Sequence, residues 1–132
     1  MIRQEFFKCD NCGNMAELIK NTGIPLVCCG NKMTELIPNT AEASTEKHLP
    51  EVTMSGNSIT VQVGSVPHPM DAGHHIEFIY VETGRGCQRK KLDIGTEPKL
   101  TFSFADEKPV AVYAYCNLHG LWKTEVNNYT GA

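Results

Sequence analysis

The stretch Val110-Ala111-Val112-Tyr113-Ala114-Tyr115-Cys116-Asn117-Leu118-His119-Gly120 decides how the larger part of this chain folds. Its first part, up to Tyr115, is an almost unbroken apolar run, which predicts a buried β-strand. Cys116 and His119 follow directly and place a thiolate and an imidazole three positions apart at the end of that strand. Two such side chains can bind one transition metal ion. The stretch therefore predicts a β-domain with a metal site at a strand end.

The other histidines are candidate ligands for the same site. They are His48, His68 between two prolines, and the adjacent pair His74 and His75. The prolines stiffen the backbone and lower the entropic cost of holding the His68 ring at a metal. His74 and His75 are predicted to begin a strand, so they face opposite ways and one of them binds. With His119, five histidines and one thiolate suit iron or copper better than structural zinc, which four ligands usually hold.

The rest of residues 47–132 has the pattern of an all-β domain. Apolar residues alternate along short runs at residues 59–63, 76–81 and 100–104. Turn signals such as Ser55-Gly56-Asn57 and Asp106-Glu107-Lys108-Pro109 separate the runs at intervals typical of a β-sandwich. No segment has the pattern of a long amphipathic helix. We predict an all-β protein with a β-sandwich over residues 47–132.

Residues 1–37 contain a second group of candidate ligands. Cys9 and Cys12 form a Cys-x-x-Cys pair, and Cys28 and Cys29 are adjacent. A Cys-x-x-Cys turn directs two thiolates at one ion, whereas adjacent cysteines reach one ion only across a turn, which Gly30 permits. We predict a tetrahedral four-cysteine site and leave open whether it holds iron or zinc. A disulfide between the adjacent cysteines is a strained alternative.

The same region is too small to bury enough surface to fold alone, so it needs a metal, disulfides or a partner. The polar residues 38–46 lack apolar periodicity and are predicted to form a linker. The expected organisation is therefore a metal-binding domain at 1–37, a linker at 38–46 and the β-sandwich at 47–132.

Charge and composition exclude some classes of function. The chain has 132 residues, 41% of them hydrophobic, and a net charge of -3, which excludes a strongly basic nucleic-acid surface. No apolar run is long enough to span a membrane. The first residues lack the apolar core of a signal peptide, which predicts a cytoplasmic location. In a reducing cytosol the six cysteines indicate metal ligands rather than disulfides.

Two other classes of protein fit part of the pattern. A cupredoxin-like electron carrier also places Cys and His near the end of a β-sandwich. It uses two histidines, however, and usually a methionine just after the last ligand, where this chain has Leu121 and Trp122. The other class is a zinc-binding interaction module, which metal analysis would separate from an iron enzyme.

The complete set of motifs resembles the two-iron superoxide reductases of the desulfoferrodoxin family. Together, and in this order, the matching motifs are highly specific. They are Cys9-Asp10-Asn11-Cys12-Gly13-Asn14, Val27-Cys28-Cys29-Gly30, Glu46-Lys47-His48, Gly64-Ser65-Val66-Pro67-His68-Pro69-Met70, His74-His75-Ile76-Glu77, Cys116-Asn117-Leu118-His119-Gly120 and Trp122-Lys123. One departure is His75, where relatives carry an aromatic residue. The following Ile76-Glu77 sets the register in favour of His74 as the ligand.

The resemblance implies a desulforedoxin/rubredoxin-like metal-binding domain followed by an immunoglobulin-like β-sandwich, with two mononuclear iron ions per chain. It also implies one-electron reduction of superoxide to hydrogen peroxide at a ferrous centre whose sixth position is open. The implied ligands of the first iron are Cys9, Cys12, Cys28 and Cys29. Those of the catalytic iron are His48, His68, His74 and His119 as equatorial nitrogens and Cys116 as the axial sulfur.

Three further expectations concern charges and partners. Lys47 is expected to attract the superoxide anion, because a cation about 5 Å away contributes on the order of 3 kcal/mol at an effective dielectric constant near 20. The resemblance implies that Glu46 occupies the sixth position once iron is ferric. It also implies a homodimer and reduced rubredoxin or a similar electron donor. Cys87 belongs to no motif and is expected to have no catalytic role.

Overall fold

The computed structural model describes residues 4–126. The chain divides into two compact units, one ending at Ile37 and the other beginning at Pro38. Both units consist almost entirely of strands and turns, and the single helix of the described residues is one turn long. The prediction of an all-β fold is confirmed. No helix among residues 4–126 is long and apolar enough to cross a membrane.

The first unit contains two small sheets and little apolar core. The first sheet has the order β2-β1-β5, and the second is the hairpin β3-β4. Ile19 and Ile24 are 95% and 74% exposed. Part of the apolar surface of this unit is therefore exposed to solvent. Its strands are β1 (Phe6–Lys8), β2 (Met15–Glu17), β3 (Val27–Cys28), β4 (Asn31–Lys32) and β5 (Thr34–Glu35).

The second unit is a two-sheet β-sandwich preceded by the helix α1 (Thr45–His48). One sheet has the order β10-β7-β6 and the other β12-β11-β8-β9, with antiparallel pairing between all neighbours. The strands are β6 (Pro50–Ser55), β7 (Ser58–Val63), β8 (Ile76–Thr83), β9 (Cys87–Lys91), β10 (Lys99–Ser103), β11 (Pro109–Cys116) and β12 (Gly120–Glu125).

The hydrophobic core lies between these two sheets. In β7 the buried residues Ile59, Val61 and Val63 alternate with partly exposed ones, as the sequence pattern predicts. They pack with residues of the facing sheet, among them Ile79 and Val112. Burial of each such side chain contributes about 1.5–3 kcal/mol. The core therefore stabilises the sandwich through apolar packing.

The central strands β8 and β11 are buried on both faces, which explains the unbroken apolar run of the sequence. Their core-facing residues alternate with aromatic residues on the other face. There the rings of Tyr80 and Tyr113 meet edge to face with centroids 5.6 Å apart. Phe78 stacks on Tyr115 with centroids 5.8 Å apart. Fixed on both faces, β11 is a rigid support for the residues that follow it.

Two details differ from the sequence-based expectations. Strand β8 begins at Ile76, so His74 and His75 lie in the loop before the strand rather than at its start. The loop is held to other segments by hydrogen bonds, and strand alternation does not decide where the two rings point. The helix α1 begins at Thr45 and so extends into the residues expected to form a linker.

Candidate metal centres

The first cluster consists of the four cysteines of the small unit. Their sulfur atoms all lie within 4.8 Å of one another. Cys9 directly follows β1, and a turn closed by a hydrogen bond from the Gly13 amide to the Cys9 carbonyl brings Cys12 back beside it. All four cysteines are free thiols, so the alternative of a disulfide between Cys28 and Cys29 is not what the structure contains.

The adjacent cysteines share one cluster because a tight turn separates them. Cys28 is the last residue of β3 and pairs with Asn31, which leaves Cys29 and Gly30 as a two-residue hairpin loop. Both loop residues have positive φ, 52° and 78°, as in a type I′ turn. For Cys29, a residue with a Cβ atom, this conformation costs roughly 1–2 kcal/mol. A metal ion bound to its thiolate would offset that cost.

The acidities of these thiols indicate a site for a cation. The Cys12 amide donates to the Cys9 sulfur at 3.5 Å and lowers the pKa of Cys9 to about 6. Hydrogen bonding to Cys9 and Cys12 raises the pKa of Cys28 to about 12. Neighbouring thiolates repel one another, so the group resists full ionisation without a positive ion. Four thiolates around one ion form the usual tetrahedral iron or zinc site.

The second cluster lies at one end of the sandwich and combines three chain segments. His48 ends α1, His68 and His74 come from the loop between β7 and β8, and Cys116 ends β11. One ligand atom from each of these four residues lies within 4.8 Å of the others. His119, in the turn between β11 and β12, places Nδ1 3.1 Å from His48 Nε2 and 4.0 Å from Cys116 Sγ.

Main-chain carbonyls determine which nitrogen of His48 and His68 faces the cluster. His48 Nδ1 lies 2.6 Å from the Ser44 carbonyl, and His68 Nδ1 lies 2.7 Å from the Pro69 carbonyl. A carbonyl only accepts, so each Nδ1 carries a proton and donates it. In the neutral rings both Nε2 atoms then present lone pairs, and these two atoms are 3.1 Å apart. Lone pairs so close repel unless a cation lies between them.

Burial keeps these rings neutral. It lowers the pKa of His48 and His74, and it lowers the pKa of His68 to about 4. His74 Nε2 is buried, and no group among residues 4–126 forms a hydrogen bond with it. A buried unpaired nitrogen is costly. The converging lone pairs and this unpaired nitrogen fit a transition metal ion, whose binding would satisfy all of them.

Cys116 is fully buried among these rings. Burial raises the pKa of its thiol, while the His119 amide donates to the sulfur at 3.4 Å and opposes that shift. A thiolate at this position needs a metal ion as counter-charge. The sulfur therefore fits the cluster as an anionic ligand. The hydrogen bond that it accepts from the His119 amide would tune the bound metal.

Trp122 has a role in the site that the sequence reasoning did not assign. Its ring stacks on His48, with centroids 4.9 Å apart and an interplanar angle of 25°. Its indole N–H donates to the His119 carbonyl at 3.2 Å. One side chain thus contacts two residues of the cluster. The sequence contained only a weak signal, an aromatic donor three positions after His119.

The remaining candidates lie outside the two clusters. Lys47 and Glu46 are exposed on α1, directly before the buried His48. Burial is the main cause that lowers the pKa of His48 and His74, and the Lys47 charge contributes less in the same direction. His75 Nδ1 lies 3.0 Å from the Asp71 carbonyl, and this ring does not belong to the cluster that contains His74. Cys87 is exposed at the start of β9.

These features define a class of β-protein with two metal centres, one of four cysteines and one of histidines with a cysteine. Comparison with known families gives the same class a name. The desulfoferrodoxin profile matches residues 40–125, and the profile of the desulfoferrodoxin N-terminal domain matches residues 2–36. The chain belongs to the desulfoferrodoxin family.

Individual relatives agree with this membership. A desulfoferrodoxin homolog of Methanothermobacter thermautotrophicus is 40% identical over 118 residues, which cover 89% of this chain and 95% of that protein. A superoxide reductase of Pyrococcus abyssi is 35% identical over 99 residues, which cover 61% of this chain and 86% of that protein. The crystal structure of the Treponema pallidum superoxide reductase has a TM-score of 0.80 at 30% identity, and the match covers 94% of this chain and all of the other.

Membership of this family implies two mononuclear iron ions per chain, a four-cysteine centre and a histidine-cysteine centre. The two clusters described above match these two centres in ligand type and in their order along the chain. Iron as the cofactor, expected from the resemblance, is therefore confirmed.

Proposed function

We propose that this protein is a superoxide reductase that converts superoxide to hydrogen peroxide. The observation that carries the proposal is the convergence of three imidazole nitrogens on one buried thiol, with His119 Nδ1 4.0 Å from the same sulfur, in a chain that shares its fold with a superoxide reductase. Neutral imidazoles suit iron that must accept an anion, and a thiolate favours electron donation. Iron in this cluster would supply one electron, and two protons complete each hydrogen peroxide.

The residues of the site then have separate tasks. His48, His68, His74 and His119 would hold the iron through Nε2 of the first three and Nδ1 of the last. The carbonyls of Ser44 and Pro69 fix two of these rings. Cys116 would be the fifth ligand, protected from water by its burial. Pre-positioned ligands lower the reorganisation needed when iron changes charge.

Lys47 and Glu46 would act on the anion and its protons. Lys47 is an exposed cation one residue from His48, so it would draw superoxide towards the cluster and hold water for proton delivery. Glu46 would occupy the sixth position after oxidation, as in the family that the motif resembles.

The first centre and the cellular context complete the proposal. Cys9, Cys12, Cys28 and Cys29 would hold the first iron in a domain at residues 1–37, joined by a linker at 38–46 to a catalytic domain at 47–132. The family resemblance supports a homodimer reduced by rubredoxin or a similar electron donor. Six free cysteines support a reducing cytoplasm.

The test is a stoichiometry measurement. Protein with ferrous iron in the second centre is mixed with a known amount of superoxide, and peroxide, oxygen and the oxidation state of iron are measured. We expect one peroxide per superoxide, one iron oxidised and no oxygen released. Oxygen at half the superoxide consumed would mean dismutation and would refute the proposal. Zinc in place of iron in the second centre of the isolated protein would refute it as well.

A further inference from the structure

The side chain of Asn117 holds the backbone on both sides of His74. Its Oδ1 accepts a hydrogen bond from the His75 amide at 2.8 Å, and its Nδ2 donates to the Gly73 carbonyl at 3.1 Å. The Asn117 amide also donates to the His75 carbonyl at 3.1 Å. Three hydrogen bonds thus join the His74 loop to the residue that directly follows Cys116.

This link matters because His74 differs from the other ligands of its cluster. The rings of His48 and His68 are each held by a carbonyl at their second nitrogen. Within residues 4–126 the buried Nε2 of the His74 ring has no hydrogen-bond partner. The ring packs edge to face against the rings of His68 and His119, with centroids 4.5 Å and 5.1 Å away, and its distance from the Cys116 sulfur depends as well on how its backbone is held. Asp71 also shapes this loop: its amide donates to the His74 carbonyl at 3.1 Å, and the His74 amide donates to the Asp71 carbonyl at 3.2 Å and to Asp71 Oδ1 at 2.9 Å. These bonds lie within the loop and do not join it to the end of the Cys116 strand.

We propose that Asn117 is a positioning residue that sets the distance of His74 from the metal by bracketing its loop against the Cys116 strand end. The proposal rests on the proposed function for its catalytic consequence. Asn117 is half-buried and joins segments 42 residues apart, so its bonds extend to the His74 loop the link that the pairing of Cys116 with Ile76 provides. Loss of a residue that orients a metal ligand typically costs 10–100-fold in metal affinity or activity.

The experiment uses the iron-loaded full chain with Asn117→Ala and Asn117→Asp. Alanine removes both side-chain bonds, whereas aspartate keeps the acceptor for the His75 amide and loses the donor to Gly73. We expect Asn117→Ala to accelerate iron release from this centre to a chelator by about tenfold. It should also shift the thiolate-to-iron absorption band and increase hydrogen exchange of the His75 amide. Asn117→Asp should retain the His75 protection and lie between wild type and alanine in the other measurements.

The matched control is Asn39, whose side chain makes the same kind of two-bond clamp elsewhere in the unit. Its Oδ1 accepts from the Lys123 amide at 2.8 Å and its Nδ2 donates to the Lys123 carbonyl at 3.1 Å. Because Asn39 has a φ of 63°, glycine is the replacement without backbone strain. Asn39→Gly should lower the thermal midpoint but leave the absorption band and iron release as in wild type. Equal spectral changes in Asn39→Gly and Asn117→Ala would overturn the proposal.

A double-mutant cycle tests whether Asn117 acts through His74. In a His74→Ala background the Asn117→Ala change should alter neither the band nor the iron release further. Additive effects would overturn the proposal, as would a wild-type spectrum and release rate in Asn117→Ala. If Asn117→Ala does not fold, the same comparison is made with Asn117→Asp. Failure of the wild-type protein to reduce superoxide would refute the proposed function. The spectra and iron-release rates would still test the positioning role of Asn117.

Discussion

The two clusters of this molecule are supported in opposite ways. The four cysteines lie in a unit whose strands are two or three residues long and in which several apolar side chains, such as Ile19, are exposed. The histidine-cysteine cluster lies at the end of a sandwich whose core residues, such as Val61 and Val112, are fully buried. In the first unit the metal would have to supply the stability of the fold. In the second, the fold supplies the geometry for the metal.

This difference accounts for the chemistry that each centre can perform. When a metal cluster stabilises its own domain, four protein ligands fill every coordination position and leave none open for a substrate. A cluster held by a preformed scaffold can keep converging lone pairs and an unpaired nitrogen in place. His74 Nε2 is such a nitrogen, buried without a hydrogen-bond partner in the part of the chain that the structure describes. A stable scaffold therefore allows a centre built for reaction rather than for folding.

Removal of the first metal should produce the largest effect. Cys12→Ser should release the metal and unfold residues 4–37, because structural metal sites of this kind contribute about 10–16 kcal/mol to folding. Residues 38–126 should remain folded. The measurement is the dispersion of backbone amide signals in a heteronuclear NMR spectrum. The control is Cys87→Ser, the same change at an exposed cysteine outside both clusters. A folded first unit without metal would contradict the comparison.

Loss of one histidine from the second cluster should remove activity without unfolding the sandwich. His74→Ala should lower the rate of reaction with superoxide by about 100-fold or more, because ligands matter at least as much as the residues that orient them. The thermal midpoint of the second unit should change by only a few degrees. His75→Ala is the control, since its ring lies outside the cluster. Equal losses in the two variants would show that the assignment of His74 is wrong.

Acid should destabilise the metal-free second unit through His68. Burial lowers the pKa of this residue from 6.5 to about 4. Below pH 6.5 the unfolded chain therefore binds a proton that the folded protein does not, and stability falls until about pH 4, by roughly 3 kcal/mol. Urea unfolding of metal-free protein at pH 7, 5.5 and 4 measures this slope.

The control for this pH dependence is His68→Gln, which cannot titrate. Its stability should fall less steeply between neutral pH and pH 4 than that of the wild type. The difference between the two slopes isolates His68 from the carboxyl groups that also titrate in this range. Parallel slopes would mean that burial of His68 does not oppose its protonation.

The smallest effect should come from the charge of Lys47. Lys47→Gln should slow the bimolecular reaction with superoxide by about tenfold and weaken its dependence on salt, while Lys47→Arg retains both. Lys108→Gln is the control, because Lys108 precedes β11 and so lies about 25 Å from Cys116 at the other end of the strand. Stopped-flow rates at several ionic strengths measure the effect. An equal loss from both glutamine variants would rule out local steering.

Much of the fold and the clusters could be predicted from sequence because each depends on local patterns. The alternation around Val61 marks a half-buried strand, and the apolar run before Cys116 marks a strand buried on both faces. The adjacent cysteines require a turn, which Gly30 allows. Long-range hydrogen bonds are different, because residues such as Asn117 and Gly73 have no local pattern that pairs them. The stacking of Trp122 on His48 is of the same kind.

The sequence by itself determined which residue types bind metal, their order along the chain and the family to which they belong. The register of Ile76-Glu77 already favoured His74, which the structure places in the cluster. Only the tertiary structure decided that His119 presents Nδ1 to the cluster while His48 and His68 present Nε2. The physical reason is that these choices depend on ring rotation. Nearby carbonyls fix that rotation at His48 and His68, and the rings meet only after segments distant in sequence have packed together.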